Sequence, residues 1–199
     1  MIDLFFNLDF YLFYFINTYL SNPVFDSLFV FFHDCHKKIW FIILVLFFWI
    51  FFIYKHKNNR ILLILLIPIG ITLTDQIGST IKNLELRQRP YMNIKKNEIN
   101  LLIKVEQDEK GNYKKTKSSE KSFPSNHAAN MFFIGTFLSL IYSNRKKYFI
   151  ILACLVAISR VYIGVHYPFD AIFGAAIGVT IAYFLIYIYK KLIRQNIIR

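Results

Sequence analysis

The chain has 199 residues, of which 56% are hydrophobic and 19% aromatic, and its formal net charge is +12. Long apolar runs separated by basic clusters exclude an ordinary soluble domain and indicate a single membrane-embedded domain over residues 1–199. In such a protein the excess positive charge is expected to face anionic lipid and the bilayer surface rather than nucleic acid.

The first predicted element is an apolar stretch at residues 4–20, which is short for a membrane span. Three polar residues interrupt it: Asn7, Asp9 and Asn17. The pattern favours a helix lying in the interface, with a second short piece at residues 23–32, so that residues 1–36 form an interfacial segment. A sixth span at residues 4–20 is the alternative. Because Met1-Ile2-Asp3 has no basic region and no small-residue cleavage site follows, no cleavable signal peptide is expected.

Five later stretches approach the length of about 20 apolar residues that a membrane-spanning helix needs. They cover residues 39–54, 60–81, 127–142, 148–165 and 169–189. The sequence therefore predicts an all-α fold, a polytopic membrane helix bundle of about five transmembrane helices plus the N-terminal interfacial helix.

Basic residues cluster after the first, third and fifth predicted spans, which places all three clusters on one side of the membrane. The clusters are Lys55, Lys57 and Arg60; Arg145, Lys146 and Lys147; and Lys190, Lys191, Arg194 and Arg199. The positive-inside rule makes this side cytoplasmic. The opposite ends of the spans are then expected to face the extracytoplasmic side.

Residues 83–123 are the only sizeable polar segment, and the topology makes them an extracytoplasmic loop. Residues 99–105 have a strand-like pattern and residues 109–112 a turn-like one, so a β-hairpin is one interpretation and a mobile solvated loop is another. Two interpretations of its role stay open. It caps a site and recognises a head group, or it is a tolerated insertion.

Three polar motifs lie at the extracytoplasmic edges of the apolar segments. Their residues are Lys82 with Arg89-Pro90, then Pro124-Ser125-Asn126-His127, and then Ser159-Arg160 with His166 and Asp170. Together they supply three cations, two imidazoles and one carboxylate, which suits binding a phosphate and breaking its ester or anhydride bond. In order and spacing they resemble the signature of the type 2 phosphatidic acid phosphatase superfamily, which also contains the vanadium haloperoxidases. One departure is visible, because Asn126 stands where the second motif usually has Gly.

The predicted phosphate-binding residues come from all three motifs. Arg89 and Arg160 can each hold two phosphoryl oxygens through a planar guanidinium, and Lys82 adds a point charge. Ser125 or Asn126 is a good helix N-cap, and the free backbone amides of the first helical turn can also hold a phosphate. The Gly-to-Asn change is expected to alter selectivity rather than abolish activity, since Asn can donate a hydrogen bond or tolerate an unusual φ.

The third motif carries the predicted nucleophile. A neutral imidazole, with an ordinary pKa near 6.5, is a competent nucleophile at physiological pH, and Asp170 can orient His166 from four residues away. The resemblance implies that His166 attacks phosphorus, that a phosphohistidine forms and is hydrolysed, and that His127 donates a proton to the leaving oxygen. Asp75, about two turns before Lys82, is expected to support the site by holding a site cation or a polar group of a neighbouring helix.

No metal and no other cofactor is predicted. His33, Asp34, Cys35 and His36 are close in sequence, but their spacing gives no recognisable metal site and lysines follow them. The resembled family works without metal, with Arg and Lys neutralising charge. Cys35 lies near a predicted membrane edge and Cys154 within an apolar run, so no disulfide is expected between them.

The resemblance implies a lipid phosphatase of a bacterial inner membrane, with its active site on the extracytoplasmic face. The implied substrate is a lipid phosphomonoester or pyrophosphate: undecaprenyl pyrophosphate, lipid A 1-phosphate, phosphatidylglycerol phosphate or phosphatidic acid. The inferred face favours the first two. The alternatives are a lipid phosphotransferase using the same phosphohistidine, a vanadate-dependent haloperoxidase, whose relatives are soluble, and a non-enzymatic lipid-binding or transport protein. The sequence leaves the oligomeric state open.

Overall fold

The computed structural model describes residues 2–55, 57, 60, 62–109, 112–114, 116 and 121–197. Within these residues the regular secondary structure is helical, with one isolated antiparallel bridge between Gln107 and Tyr113. The predicted all-α membrane helix bundle is confirmed.

Eight α-helices run through the described residues. They are α1 (Ile2–Tyr14), α2 (Pro23–Asp34), α3 (Ile39–Lys55), α4 (Ile67–Lys82), α5 (Pro90–Asn93), α6 (Asn126–Ile141), α7 (Lys146–Tyr162) and α8 (Pro168–Ile197). Short π-helical or 3₁₀ segments adjoin several of them: Phe15–Tyr19, Cys35–Lys37, Leu62–Leu66, Lys96–Glu98 and Ser143–Arg145.

Local sequence explains where the helices that carry the motifs begin and end. Ser125 caps α6, its side chain accepting a hydrogen bond from the backbone N–H of Ala128. Pro168 opens α8, where its missing N–H would have had no helical partner. After α7, Gly164 adopts a φ of +85°, a left-handed conformation that costs glycine little, and so turns the chain towards α8.

Helix α6 is central and packs against α4, α7 and α8. A Cβ atom at Gly178 of α8 would lie 2.1 Å from the backbone oxygen of Ala129 in α6, so glycine is required for this close approach. At the end of the bundle that carries the motifs, the backbone N–H of Ser125 donates to the backbone oxygen of Asp170 at 2.9 Å. Packing of α6 on α8 therefore places the second motif directly against the third.

Two of the polar residues that interrupt the N-terminal apolar stretch face the interior of the protein. Asp9 and Asn17 are both 0% exposed. Nδ2 of Asn17 donates to the backbone oxygens of Tyr162 at 2.6 Å and of Asn100 at 2.8 Å. These residues therefore anchor the N-terminal segment to the bundle.

Two helices of the described chain are long and apolar enough to cross a membrane, Leu62–Lys82 and Pro168–Lys191. A third crossing is available if Pro23–Lys37 and Ile39–Lys55, which are bent by 75°, act as one span. With 16 and 17 residues, α6 and α7 are shorter than the roughly 30 Å hydrocarbon core at about 1.5 Å per residue. The predicted number of five spans is therefore not confirmed.

The segment between α4 and α6 packs over the end of the bundle that carries the motifs. Tyr91, Ile94 and Ile99 are buried in one cluster with residues of the turn between α7 and α8. The strand suggested for residues 99–105 is not formed, because these apolar side chains pack on the helix ends instead of pairing with a second strand. The turn-like pattern at residues 109–112 includes residues 110 and 111, which lie outside the described residues; next to them, the backbone N–H of Asp108 donates to the backbone oxygen of Asn112 at 2.8 Å.

Candidate active site

His166 lies in the turn between α7 and α8, and Asp170 lies in the first turn of α8. Nδ1 of His166 is 3.5 Å from Oδ2 of Asp170, and the two side chains are 3% and 0% exposed. The same carboxylate oxygen accepts hydrogen bonds from Oγ of Ser122 at 2.6 Å and from the backbone N–H of Tyr167 at 2.9 Å. Because Nδ1 faces the carboxylate, Nε2 of His166 is left as the nitrogen that can react.

Burial sets the ionisation of His166, which lies outside the candidate membrane-spanning helices. Burial lowers its pKa to about 3; the hydrogen bond to Asp170 opposes this, and the positive charges of Arg89 and Lys82 add to it. The imidazole is therefore neutral at physiological pH, and its lone pair is available for attack on phosphorus. Burial also lowers the pKa of Arg89, although a guanidinium remains charged.

The three predicted cations converge on this end of the bundle. Nζ of Lys82 donates to the backbone oxygens of Pro124 and Ser122, which ties the first motif to the second. The Nε atoms of Arg89 and Arg160 are buried and have no hydrogen-bond partner among the described residues. Buried donors without acceptors are costly, so these two guanidinium groups are suited to a bound anion.

His127 occupies the first turn of α6, within electrostatic reach of both Arg160 and His166. The centroid of its ring is 5.2 Å from that of His36. The second imidazole of the predicted site thus lies near Arg160 and the first imidazole.

Asn126 directs its side chain towards α4. Its Nδ2 donates to Oδ1 of Asp75 at 3.2 Å, and Nδ2 of Asn130 donates to the same oxygen at 3.0 Å. A Cβ atom at Gly78 would lie 2.4 Å from Oδ1 of Asn126, so the glycine in α4 provides the space for this side chain. The described hydrogen bonds of Asp75 are therefore to amides of α6.

We call His166, Asp170 and the residues that contact them the nucleophile side of the site. The sequence patterns do not identify two residues of this side. Ser122 lies two residues before Pro124, and its Oγ is also 3.4 Å from Nδ1 of His166. Arg87 lies two residues before Arg89, and its Nη1 is 3.5 Å from Oδ1 of Asp170. The available signal was their position immediately beside the first and second motifs.

The sequence suggests His33 and His36 only as possible metal ligands, but His33 contacts the cation side of the site, meaning Lys82, Arg89 and Arg160, and the ring of His36 lies against that of His127. Nη1 of Arg160 donates to Nδ1 of His33, and Nε2 of His33 is 3.3 Å from Nζ of Lys37. The described residues contain no group of three or more His, Cys, Asp or Glu side chains arranged to hold a metal ion. The available signal was their place at the outer edge of the first predicted span, the side that carries the motifs.

Residues 61–194 match the PAP2 superfamily. The bacitracin transport permease protein BcrC of Bacillus licheniformis is 29% identical over 143 residues, which are 72% of this chain and 63% of that protein. The lipid A 4′-phosphatase of Bacteroides thetaiotaomicron is 45% identical over 58 residues, 28% of this chain and 26% of that protein. The chain thus spans less than two thirds of the length of these curated relatives.

Two solved structures have a similar fold. LpxE from Aquifex aeolicus superposes with a TM-score of 0.65 at 25% identity, covering 89% of this chain and 93% of that one. A PAP2-type phosphatidylglycerolphosphate phosphatase from Bacillus subtilis superposes with a TM-score of 0.55 at 21% identity, covering 87% and 80%, and shows the fold alone. The resemblance carried by the motifs is confirmed. Since the match at residues 61–194 covers more than half of the chain and includes all three motifs, this protein belongs to the PAP2 superfamily.

Proposed function

We propose that this protein is a membrane lipid phosphatase that hydrolyses a phosphomonoester or diphosphate head group through a phosphohistidine on His166. The observation that carries the proposal is the buried, neutral imidazole held at Nδ1 by Asp170, beside the unpaired buried donors of Arg89 and Arg160. Membership of the PAP2 superfamily and similarity to a lipid A 4′-phosphatase support the reaction class.

In the first step the lone pair of Nε2 on His166 forms a bond to phosphorus, and the bond from phosphorus to the leaving oxygen breaks. That oxygen takes a proton from His127, whose protonated form the bound phosphate favours by its negative charge. The proton on Nδ1 stays on the ring, where the charge of Asp170 offsets the positive charge that the ring acquires.

Charge on the transferred phosphoryl group spreads over its three equatorial oxygens, and the cation side supplies their donors. Arg89 and Arg160 offer planar guanidinium groups in a buried setting, where each charge-assisted hydrogen bond is stronger than in water. Lys82 contributes its charge from a fixed position, since its Nζ is held by backbone oxygens.

In the second step a water molecule attacks the phosphohistidine, and the nitrogen–phosphorus bond breaks. The electron pair returns to Nε2 of His166, and the proton of the attacking water passes to His127, which restores both imidazoles. The products are inorganic phosphate and either a lipid alcohol or, from a diphosphate, a lipid monophosphate.

The orientation of the site is also part of the proposal. His127 begins α6 at the end of the bundle that carries the motifs, and the basic cluster that starts at Arg145 lies at the other end of the same helix. By the positive-inside rule the site then faces the extracytoplasmic side of a bacterial inner membrane. This placement keeps undecaprenyl pyrophosphate and lipid A 1-phosphate as the favoured substrates over phosphatidylglycerol phosphate and phosphatidic acid.

Phosphate release by the purified protein in detergent, with a metal chelator present, tests the proposal. The panel contains short-chain phosphatidic acid, phosphatidylglycerol phosphate, lipid A and a prenyl diphosphate. The parent protein should release phosphate from at least one of them, and His166→Ala should lower kcat by at least about 10⁴-fold, because it removes the nitrogen to which the proposed covalent intermediate is bound. Rapid acid-free quenching with labelled substrate should trap a phosphoenzyme in the parent alone.

His56→Ala is the matched control, because His56 follows the first predicted span in the sequence and belongs to none of the motifs. It should retain the parent rate. Substantial hydrolysis by His166→Ala would refute the nucleophile, and loss of parent activity with the chelator that Mg²⁺ restores would refute the metal-free reaction. Phosphate appearing on an added lipid acceptor instead of in solution would favour the phosphotransferase.

A further inference from the structure

Arg87 lies between two carboxylates that are each 0% exposed, Asp9 of α1 and Asp170 of α8. Its Nη1 donates to Oδ2 of Asp9 and is 3.5 Å from Oδ1 of Asp170. The other oxygen of Asp170 faces His166. Arg87 therefore contacts the edge of the catalytic carboxylate that is turned away from the nucleophile.

Asp9 also contacts the first turn of α8, the turn that contains Asp170. Its Oδ1 accepts a hydrogen bond from the backbone N–H of Phe169 at 2.8 Å. This N–H belongs to the first turn of α8, whose backbone donors have no partner within their own helix and favour a negative charge. Asp9, which belongs to α1, thus caps α8 at Phe169, the residue that precedes Asp170.

Aromatic contacts hold the residues on both sides of Pro168. The guanidinium carbon of Arg87 is 3.4 Å from the centroid of the Tyr167 ring. Phe5 of α1 stacks on Phe169 with ring centroids 4.0 Å apart, and Phe13 packs on Tyr167 with centroids 5.3 Å apart. The turn that carries the nucleophile is therefore packed against α1 by side chains as well as by its backbone.

The charges explain why a carboxylate is needed at position 9. Two buried carboxylates near each other repel, and the guanidinium of Arg87 between them offsets both. Without Asp9, Arg87 would have Asp170 as its remaining described acidic partner and would compete with His166 for that charge. Asp9 thus holds Arg87 where Asp170 still has one oxygen committed to the imidazole.

We propose that Asp9 and Arg87 are positioning residues for the pair formed by His166 and Asp170, so that α1 is part of the catalytic apparatus. Asp9 lies outside residues 61–194, the part of the chain that matches the family. The inference rests on the proposed function of His166. Since the two residues act through Asp170 and the turn that follows His166, their loss should lower kcat and leave KM nearly unchanged.

The first measurement is steady-state hydrolysis of dioctanoyl phosphatidic acid and farnesyl diphosphate by full-length protein in detergent. Asp9→Asn keeps an oxygen that can accept from Phe169, but it removes the charge and places an amide N–H group, which cannot accept, opposite Arg87. We expect kcat to fall about tenfold while KM stays within about twofold. Asp9→Glu, which restores the charge on a longer side chain, should recover part of the loss.

The second measurement separates a positioning role from general destabilisation. In an Asp170→Asn background, Asp9→Asn should lower kcat by less than about twofold, because the residue through which it acts is already impaired. If Asp9 had only a structural role, the losses of kcat in the two single variants would instead multiply in the double variant. If Asp9→Asn does not fold, Arg87→Lys takes its place. Its effect on kcat should then also be smaller in the Asp170→Asn background than in the parent protein.

Asp26→Asn is the matched control. Asp26 is also a structural carboxylate of the N-terminal segment, accepting from the hydroxyl of Tyr162 at 2.7 Å and from Nδ2 of Asn100 at 3.2 Å. It should retain kcat within about twofold, with each variant checked for folding by size-exclusion chromatography and thermal unfolding.

The possible outcomes separate the two proposals. Parent activity that depends on His166, together with an unchanged kcat in Asp9→Asn, would overturn the positioning role and leave the proposed function standing. A rise in KM as the main effect, or multiplicative losses with Asp170→Asn, would also overturn it. If the parent hydrolyses neither substrate in a manner that depends on His166, the proposed function fails and this inference fails with it.

Discussion

The nucleophile side and the cation side of the site differ in how completely their polar groups are paired. On the nucleophile side, Asp170 accepts from Ser122 and from the backbone of Tyr167, and it faces His166. On the cation side, Arg89 and Arg160 each have a buried Nε without a hydrogen-bond partner in the described structure. A satisfied polar network is rigid, whereas unpaired buried donors are costly until a ligand supplies acceptors. The difference is what the proposed reaction requires: a rigidly held imidazole beside buried donors that a bound phosphate would pair.

The N-terminal segment contributes to both sides. Asp9 contacts Arg87 and the first turn of α8, and His33 accepts a hydrogen bond from Arg160. Helices α1 and α2 therefore help to fix the turn that carries His166 and one of the predicted cations.

Asp170→Asn tests the nucleophile side, and among the following changes it should have the largest effect on kcat. The amide can still accept from Ser122, so the fold should persist, but the imidazole loses the charge that orients and stabilises it. We expect kcat to fall by about 10²- to 10³-fold with little change in KM. Steady-state kinetics on the lipid identified for the parent measures this, and unchanged rate constants would contradict the role given to Asp170.

Arg160→Lys tests the cation side. Lysine keeps the charge but loses the planar fork, so it cannot hold two oxygens in the same geometry. We expect kcat/KM to fall about 10- to 100-fold, and the inhibition constant for vanadate, which resembles phosphate, should rise in proportion. Arg145→Lys, at the other end of α6, is the control and should match the parent. Equal vanadate inhibition in all three proteins would show that Arg160 does not bind the anion.

Asn126→Gly introduces the residue that the second motif usually carries and should have a small effect. The change removes the hydrogen bond to Asp75 but leaves that of Asn130 in place. We expect a loss of about 1 kcal/mol in unfolding free energy and a change of less than about fivefold in kcat/KM, with the ratio between two head groups altered. Complete loss of activity would mean that the Asn126 side chain is essential to the site.

Lowering the pH from 8 to 5 should have the smallest effect on the nucleophile itself. Because burial lowers the pKa of His166 to about 3, its imidazole should stay neutral over this range, whereas a histidine with a pKa near 6.5 would become mostly protonated. Nitrogen NMR of the ¹⁵N-histidine-labelled protein in detergent measures the protonation state of each imidazole. The signal that is missing from the His166→Asn variant is that of His166. A midpoint near 6.5 would contradict a buried, preorganised imidazole.

The sequence by itself determined the membrane class, the all-α fold and the family. These conclusions depend on local features: the lengths of apolar runs, and the identities and spacing of residues within each motif. His166 and Asp170 are four residues apart across one turn, so their proximity is a consequence of local geometry. The same local information predicted Lys82, Arg89 and Arg160 as cations, and packing of the helix ends is what brings them to one end of the bundle.

Only the tertiary structure decided which distant residues complete the site. Asp9 and Phe169 are 160 positions apart in the chain, and His33 and Arg160 are 127 apart, so no periodicity or motif spacing connects them. In the sequence Asp9 is one polar residue in an apolar helix, and its burial depends on how α1 packs on α8. Local patterns fix which chemical groups are present and which helix carries them. The partner of each buried charge is fixed by packing between helices, because a charge is tolerated inside the protein only where another element supplies its counter-charge or hydrogen bond.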